Sequence, residues 1–93
     1  MPYVLQHKET KQIYTTMLVN HYELAYYGVK FWAEAQEAER DAAAFLQAKG
    51  VVDASSWELL HLDEREMKLC NVKLRNDPRL SLYWQADRKP EVN

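Results

Sequence analysis

The sequence predicts an α+β fold: a small antiparallel or mixed sheet of about four to five strands with two helices packed on one face, in the order β-β-β-α-β-α-β. Three observations lead there. Runs that alternate every second residue and are rich in Tyr, Val, Ile and Thr fill most of the stretch up to Trp32. From Glu34 to Lys49 an alanine-rich segment carries its apolar residues at the spacing of a helix. Beyond it, strand and helix patterns continue with no repeat, low-complexity block or linker to divide the chain. With 93 residues, 47% of them hydrophobic and 28% charged, the chain has the size and composition of one folded domain. That domain is expected over residues 1–85, with a flexible tail from 86 to 93.

The first two runs, Tyr3 to Lys8 and Gln12 to Val19, flank Glu9, Thr10 and Lys11 and read as a β-hairpin. The turn lacks the Asn-Gly or Asp-Gly of the tightest hairpins, so a longer loop with a bulge fits as well. In the second run Ile13, Thr15, Met17 and Val19 share one face and Tyr14, Thr16 and Leu18 the other. Neither face is cleanly polar, so both are expected to be partly covered. Asn20 suits either a short capped turn or the start of a loop, and residues 20–25 are read as irregular. Tyr26 to Trp32 alternates again and predicts a third strand, in which Gly28 marks a bulge or a close approach of backbone.

The helix over 34–49 lines up Ala35, Ala38, Ala42, Phe45 and Leu46 on one stripe. Glu34 and Glu37 favour its start, Lys49 its last turn, and Gly50 the left-handed position that ends it. Trp57 to Leu62 is a compact apolar run of strand length. Asp63 ends it and, with Glu66 three positions on, forms a capping-box pattern that starts a second helix at Glu64. Met67, Cys70 and Leu74 carry that helix to about Arg75. Cys70, Val72 and Leu74 also alternate as a strand, which would turn through Asn76, Asp77 and Pro78. A final strand follows, with Leu80, Leu82 and Trp84 alternating with Ser81 and Tyr83.

Chemistry is scarcer than structure. Twelve basic residues against fourteen acidic give a net charge of -2, a field that repels polyphosphate. The lone Cys70 has no internal disulfide partner and no basic, apolar leader marks export, so the reducing cytoplasm is the expected compartment. No apolar run approaches the roughly 20 residues that span a bilayer. Gly28 and Gly50 are the only glycines, and neither opens a phosphate-cradling loop.

His61 and Asp63 point to one face of a strand, but a structural zinc takes four ligands, and His7 and His21 are isolated in sequence. Cys70 with a histidine is the one candidate pair of nucleophile and base, and nothing in the sequence brings the two together. The acids Glu34, Glu37, Glu39 and Asp41 lie off the apolar stripe, as a solvated helix face does. No catalytic residue, cofactor site or metal site is therefore expected, and the chain reads as non-enzymatic.

Two surfaces remain. Tyr22, Tyr26, Tyr27, Phe31 and Trp32 crowd residues 22–32 on both faces of one expected strand, and the face that does not enter the core needs a cover. Tyr22, Tyr26, Tyr27 and Trp32 are the candidate protein interface of a small cytosolic interaction module. It would present an aromatic strand surface or a sheet edge to a protein partner, with a homodimer as the first candidate. The alternative is a nucleic-acid patch of Lys68, Lys73, Arg75 and Arg79 with Tyr83, interrupted by Glu64 and Glu66.

Overall fold

Val4, Leu5 and Gln6 are consecutive and all buried on strand β1 (Tyr3–His7), so side chains on both faces of that strand must be covered. The computed structural model, which describes residues 2–93, shows how. Along one edge β1 pairs with β6 (Trp57–His61) over its full length, from Tyr3↔His61 to His7↔Trp57. Its other edge is shared by β2 (Gln12–Ile13) and β5 (Phe31–Trp32). From β2 the sheet continues through β7 (Leu82–Trp84) to β8 (Pro90–Val92), giving six strands, all paired antiparallel.

Two helices cover the two faces. Helix α2 (Glu64–Leu74) sets Met67, Cys70 and Leu74 against Val4, Ile13, Leu62, Leu82 and Trp84. Helix α1 (Ala35–Ala48) sets Ala38 and Leu46, with Phe45 beside them, against Leu5, Trp32, Trp57 and Leu59. Val4 and Leu5 point oppositely, so the helices lie on opposite sides of the sheet and not on one face as expected. The reason is that β1 and β6 are apolar on both faces, with Leu59 in one cluster and Leu60 in the other. The α+β class stands.

Helix ends follow their local chemistry. Asp63 Oδ1 accepts from the Glu66 N–H at 2.7 Å and Glu66 Oε1 from the Asp63 N–H at 3.0 Å, which completes the capping box. Arg75, at φ 51°, ends α2 and decides residues 70–74 for helix over strand. Gly50, at φ 72°, follows the last residue of the α1 cap. Residues 90–92, expected within a mobile tail, instead pair with β7 from Leu82↔Val92 to Trp84↔Pro90. Pro90 is buried there, and Arg88 in the turn before it grips Glu66 of α2. Among the described residues no helix is long and apolar enough to cross a membrane.

The expected strands 12–19 and 26–32 are each broken, at Tyr14 and Lys30. Tyr14 donates its N–H to Leu5 O at 2.9 Å and accepts the Lys30 N–H at 3.2 Å, while its ring packs edge-on to Phe45 and Trp57. The line beside β1 therefore reads Ile13, Tyr14, Phe31, Trp32 opposite Gln6, Leu5, Val4, Tyr3, without a gap in register. Residues 15–30 leave that line as a separate two-stranded ribbon of β3 (Thr15–Val19) and β4 (Ala25–Val29). Its turn is held by Asn20 Oδ1, which accepts from the Tyr22 and Leu24 N–H groups, with Glu23 at φ 61°.

Candidate functional site

A two-stranded ribbon is marginal by itself, and α2 supports this one along the β4 edge. Asn71 Oδ1 accepts the Val29 N–H at 3.2 Å and Asn76 Oδ1 the Tyr27 N–H at 2.6 Å. Gly28 makes room for this: a Cβ there would sit 3.0 Å from Asn71 Oδ1 and 3.0 Å from the Tyr26 ring. Tyr27 Oη donates to Leu80 O at 2.7 Å and so accepts from Thr15 Oγ1 at 2.6 Å. The β4 edge is thus occupied.

The β3 edge is not. Because the Tyr27 and Val29 N–H groups face α2, the pairs Met17↔Tyr27 and Thr15↔Val29 exchange no hydrogen bonds across the ribbon. By the same alternation Thr16 and Leu18 bond to β4, and Thr15, Met17 and Val19 aim their N–H and C=O groups outward. Among the described residues β4 is the one strand paired with β3.

Side chains at this end are also uncovered. Met17 is 51% exposed, Val19 66%, Leu24 63% and Tyr22 71%. The other exposed large apolar residues, Phe31, Val52, Leu69 and Val72, are spread over β5, the loop after α1 and the outer side of α2. Concentration on one ribbon separates the first four from ordinary scattered exposure. Charge is missing too: between Lys11 and Lys30 the single Asp, Glu, Lys or Arg is Glu23, in the turn.

The aromatic residues that the sequence singles out are not brought onto one surface. Trp32, 5% exposed, packs in the core edge-on to Phe45. Tyr27 is half-buried and tied to Leu80, on the face where it meets the α2 core. Tyr26, half-buried, points to the opposite face of the ribbon by alternation, and Tyr22 stands out at the turn against His21. Sequence reasoning placed Met17 and Val19 on a common face but missed their exposure. The signal available was the charge-free run from Gln12 to Tyr22.

The basic group is divided. Lys68 and Lys73 are exposed on α2 and Arg75 caps it, whereas Arg79 is taken up by Asp77 in two bonds of 3.0 Å. Tyr83 lies between Leu82 and Trp84, which face α2, so its ring points to the other side of the sheet.

Burial pushes the Cys70 thiol up to about 12, leaving it protonated and a poor nucleophile at neutral pH. His7 Nδ1 accepts from the Glu9 and Thr10 N–H groups, so Nε2 carries the proton and donates to Asp53 Oδ2 at 3.0 Å. That hydrogen bond holds the Asp53 carboxyl below its ordinary value and pins the loop before β6. His61 stacks on Tyr3 at 4.8 Å, and Asp63 is the α2 cap. No group of three or more His, Cys, Asp or Glu side chains among the described residues is placed to hold a metal ion.

An open pocket of about 310 Å³ is lined by Phe31, Met67 and Glu64 among others. A smaller one beside Gln6 and Arg88 is lined by Trp84, whose Nε1 is closed to solvent and has no acceptor among the described residues.

Together these features define a class: a small α+β domain carrying a ribbon with one supported edge and one open edge. Compared with protein-family models, curated proteins and solved structures, the chain matches none of them.

Proposed function

We propose that the protein acts as a cytosolic interaction module without catalytic activity, binding a protein strand through the open edge of β3. The observation that carries this reading is that edge itself: outward backbone groups at Thr15, Met17 and Val19, no charge, and exposed apolar side chains beside them. An added strand takes its affinity from main-chain hydrogen bonds and its specificity from alternate side chains, and β3 offers both. Exposed strands that are not meant to pair usually carry a charge, a proline or a bulge, and β3 has no charge or proline.

Affinity capture from native lysate with the tagged chain tests it, with untagged copies of the same chain counted among possible partners. A Met17→Lys, Val19→Lys variant is the comparison, because both side chains are exposed, where substitutions ordinarily change stability little. Loss of the captured protein from the variant, at unchanged circular dichroism, is the expected result. Identical capture by both, or none by the wild type, sinks the reading.

A further inference from the structure

We propose that the strand which pairs with β3 is the β3 of a second copy, antiparallel across a two-fold axis at Met17, so that two ribbons join into one four-stranded sheet. This rests on the reading of β3 as the binding edge and names its partner.

The register follows from which residues face outward. Thr15, Met17 and Val19 do so, and antiparallel pairing about Met17 sets Met17 against Met17 of the second copy and Thr15 against its Val19. All three outward residues on each copy then exchange N–H···O=C bonds. A shift of two residues leaves one of the three unpaired, and a shift of one turns inward-bonded groups to the seam.

Charge does not oppose this partner. Each copy carries a net charge of -2, yet the stretch between Lys11 and Lys30 holds one charged residue, Glu23, at the far turn. Nothing in Thr15–Val19 or Ala25–Val29 attracts a charged segment, and two such edges meet with no like charges opposed and no ion desolvated. The shared axis also places Met17 beside Met17 on one face, with Val19 on the same side, and covers two exposed apolar side chains. A five-residue edge is a small seam compared with the roughly 800 Å² per partner of a stable complex, so the dimer is expected to depend on concentration.

Sedimentation velocity over a concentration series, with crosslinking beside it, decides the matter. Wild type should rise from 11.0 kDa towards twice that mass, and Met17→Lys should stay at 11.0 kDa with an unchanged circular dichroism spectrum. Under mild oxidation Met17→Cys should give a covalent dimer and Val19→Cys alone should not, while Thr15→Cys mixed with Val19→Cys should. Buried Cys70 does not compete.

A wild type that remains at 11.0 kDa, a Met17→Lys variant that still dimerises, or equal crosslinking at positions 17 and 19 overturns the proposal. If it fails while lysate capture is still lost in the Lys variant, a different chain occupies the edge and the reading of β3 survives. Dimer and capture both persisting in that variant removes the two together.

Discussion

The outer strands of the six-stranded sheet and the outer strand of the ribbon treat their edges differently. On the main sheet, β6 carries Glu58 and His61, and β8 is three residues long with Pro90 and Glu91. Charge, proline and shortness each discourage another chain from adding on. On the ribbon, β3 has five residues, Thr-Thr-Met-Leu-Val, and none of these devices. The difference separates two tasks on one small domain. The six-stranded sheet is finished by its helices, and the ribbon is finished on one edge alone, by Asn71 and Asn76.

The hardest way to break the comparison is to damage the finished half. Leu74 is fully buried between α2 and the sheet, and Leu74→Ala is expected to cost about 2–5 kcal/mol through lost transfer energy and the cavity left behind. A urea midpoint that barely moves would show that the α2 face is not the main core. Next comes the supported edge of the ribbon. Asn71→Ala leaves the Val29 N–H without its acceptor and should cost about 1–3 kcal/mol. Hydrogen exchange should then quicken at Val29 and stay slow at Val4 and Leu60, a hydrogen-bonded pair of the main sheet. Equal loss in both would mean that the ribbon does not open separately.

Gly28→Ala sharpens the same point by its sign. Replacing glycine within a strand by alanine is ordinarily favourable by about 0.5–1 kcal/mol. Here the new methyl meets Asn71 Oδ1 and the Tyr26 ring at 3.0 Å, so one of them must give way and the change should destabilise by about 1 kcal/mol. Stabilisation in the urea titration would show that Asn71 moves aside without consequence.

Much of this frame was readable from the sequence, and the particular residues explain where it stopped. The α1 stripe, the Asp63 and Glu66 box and the stop at Gly50 are local patterns, and local patterns survive into the fold. Gly28 was legible as a close approach, although the approaching atom, Asn71 Oδ1, is distant in sequence. The split of each long strand was not legible, because Tyr14 and Lys30 keep the alternating pattern while the chain changes sheets. The placing of helices on opposite faces depends on Val4 and Leu5 finding different partners, which no local pattern encodes. Candidate interface residues were chosen for aromatic character, and burial sorted them otherwise: Trp32 went inside, and Met17 and Val19 stayed out.

The smallest expected effect concerns how β8 is latched. Arg88 donates to both carboxylate oxygens of Glu66, at 2.6 and 2.8 Å, tying the β7–β8 turn to the first turn of α2. The Arg88 guanidinium, helped by the Asp63 N–H, holds the Glu66 carboxyl below its ordinary value of 4.5. A carboxyl with a depressed value in the folded state contributes stability above its unfolded value and loses it as pH falls through the folded one. Arg88 is half exposed, so solvent screens the pair and its contribution is small. Glutamine also serves at the third position of a capping box, so Glu66→Gln removes the charge while keeping the acceptor for the Asp63 N–H. The variant should therefore differ from wild type only slightly at neutral pH, by less than Gly28→Ala does. That gap should close as the pH falls below the folded value, where wild type has lost the same charge. Asp53 and Asp77 are held low by His7 and Arg79 and keep an acid limb in both proteins. Urea midpoints from pH 7 downward check this, and a gap that widens in acid would mean that Glu66 holds α2 in some way other than through its charge.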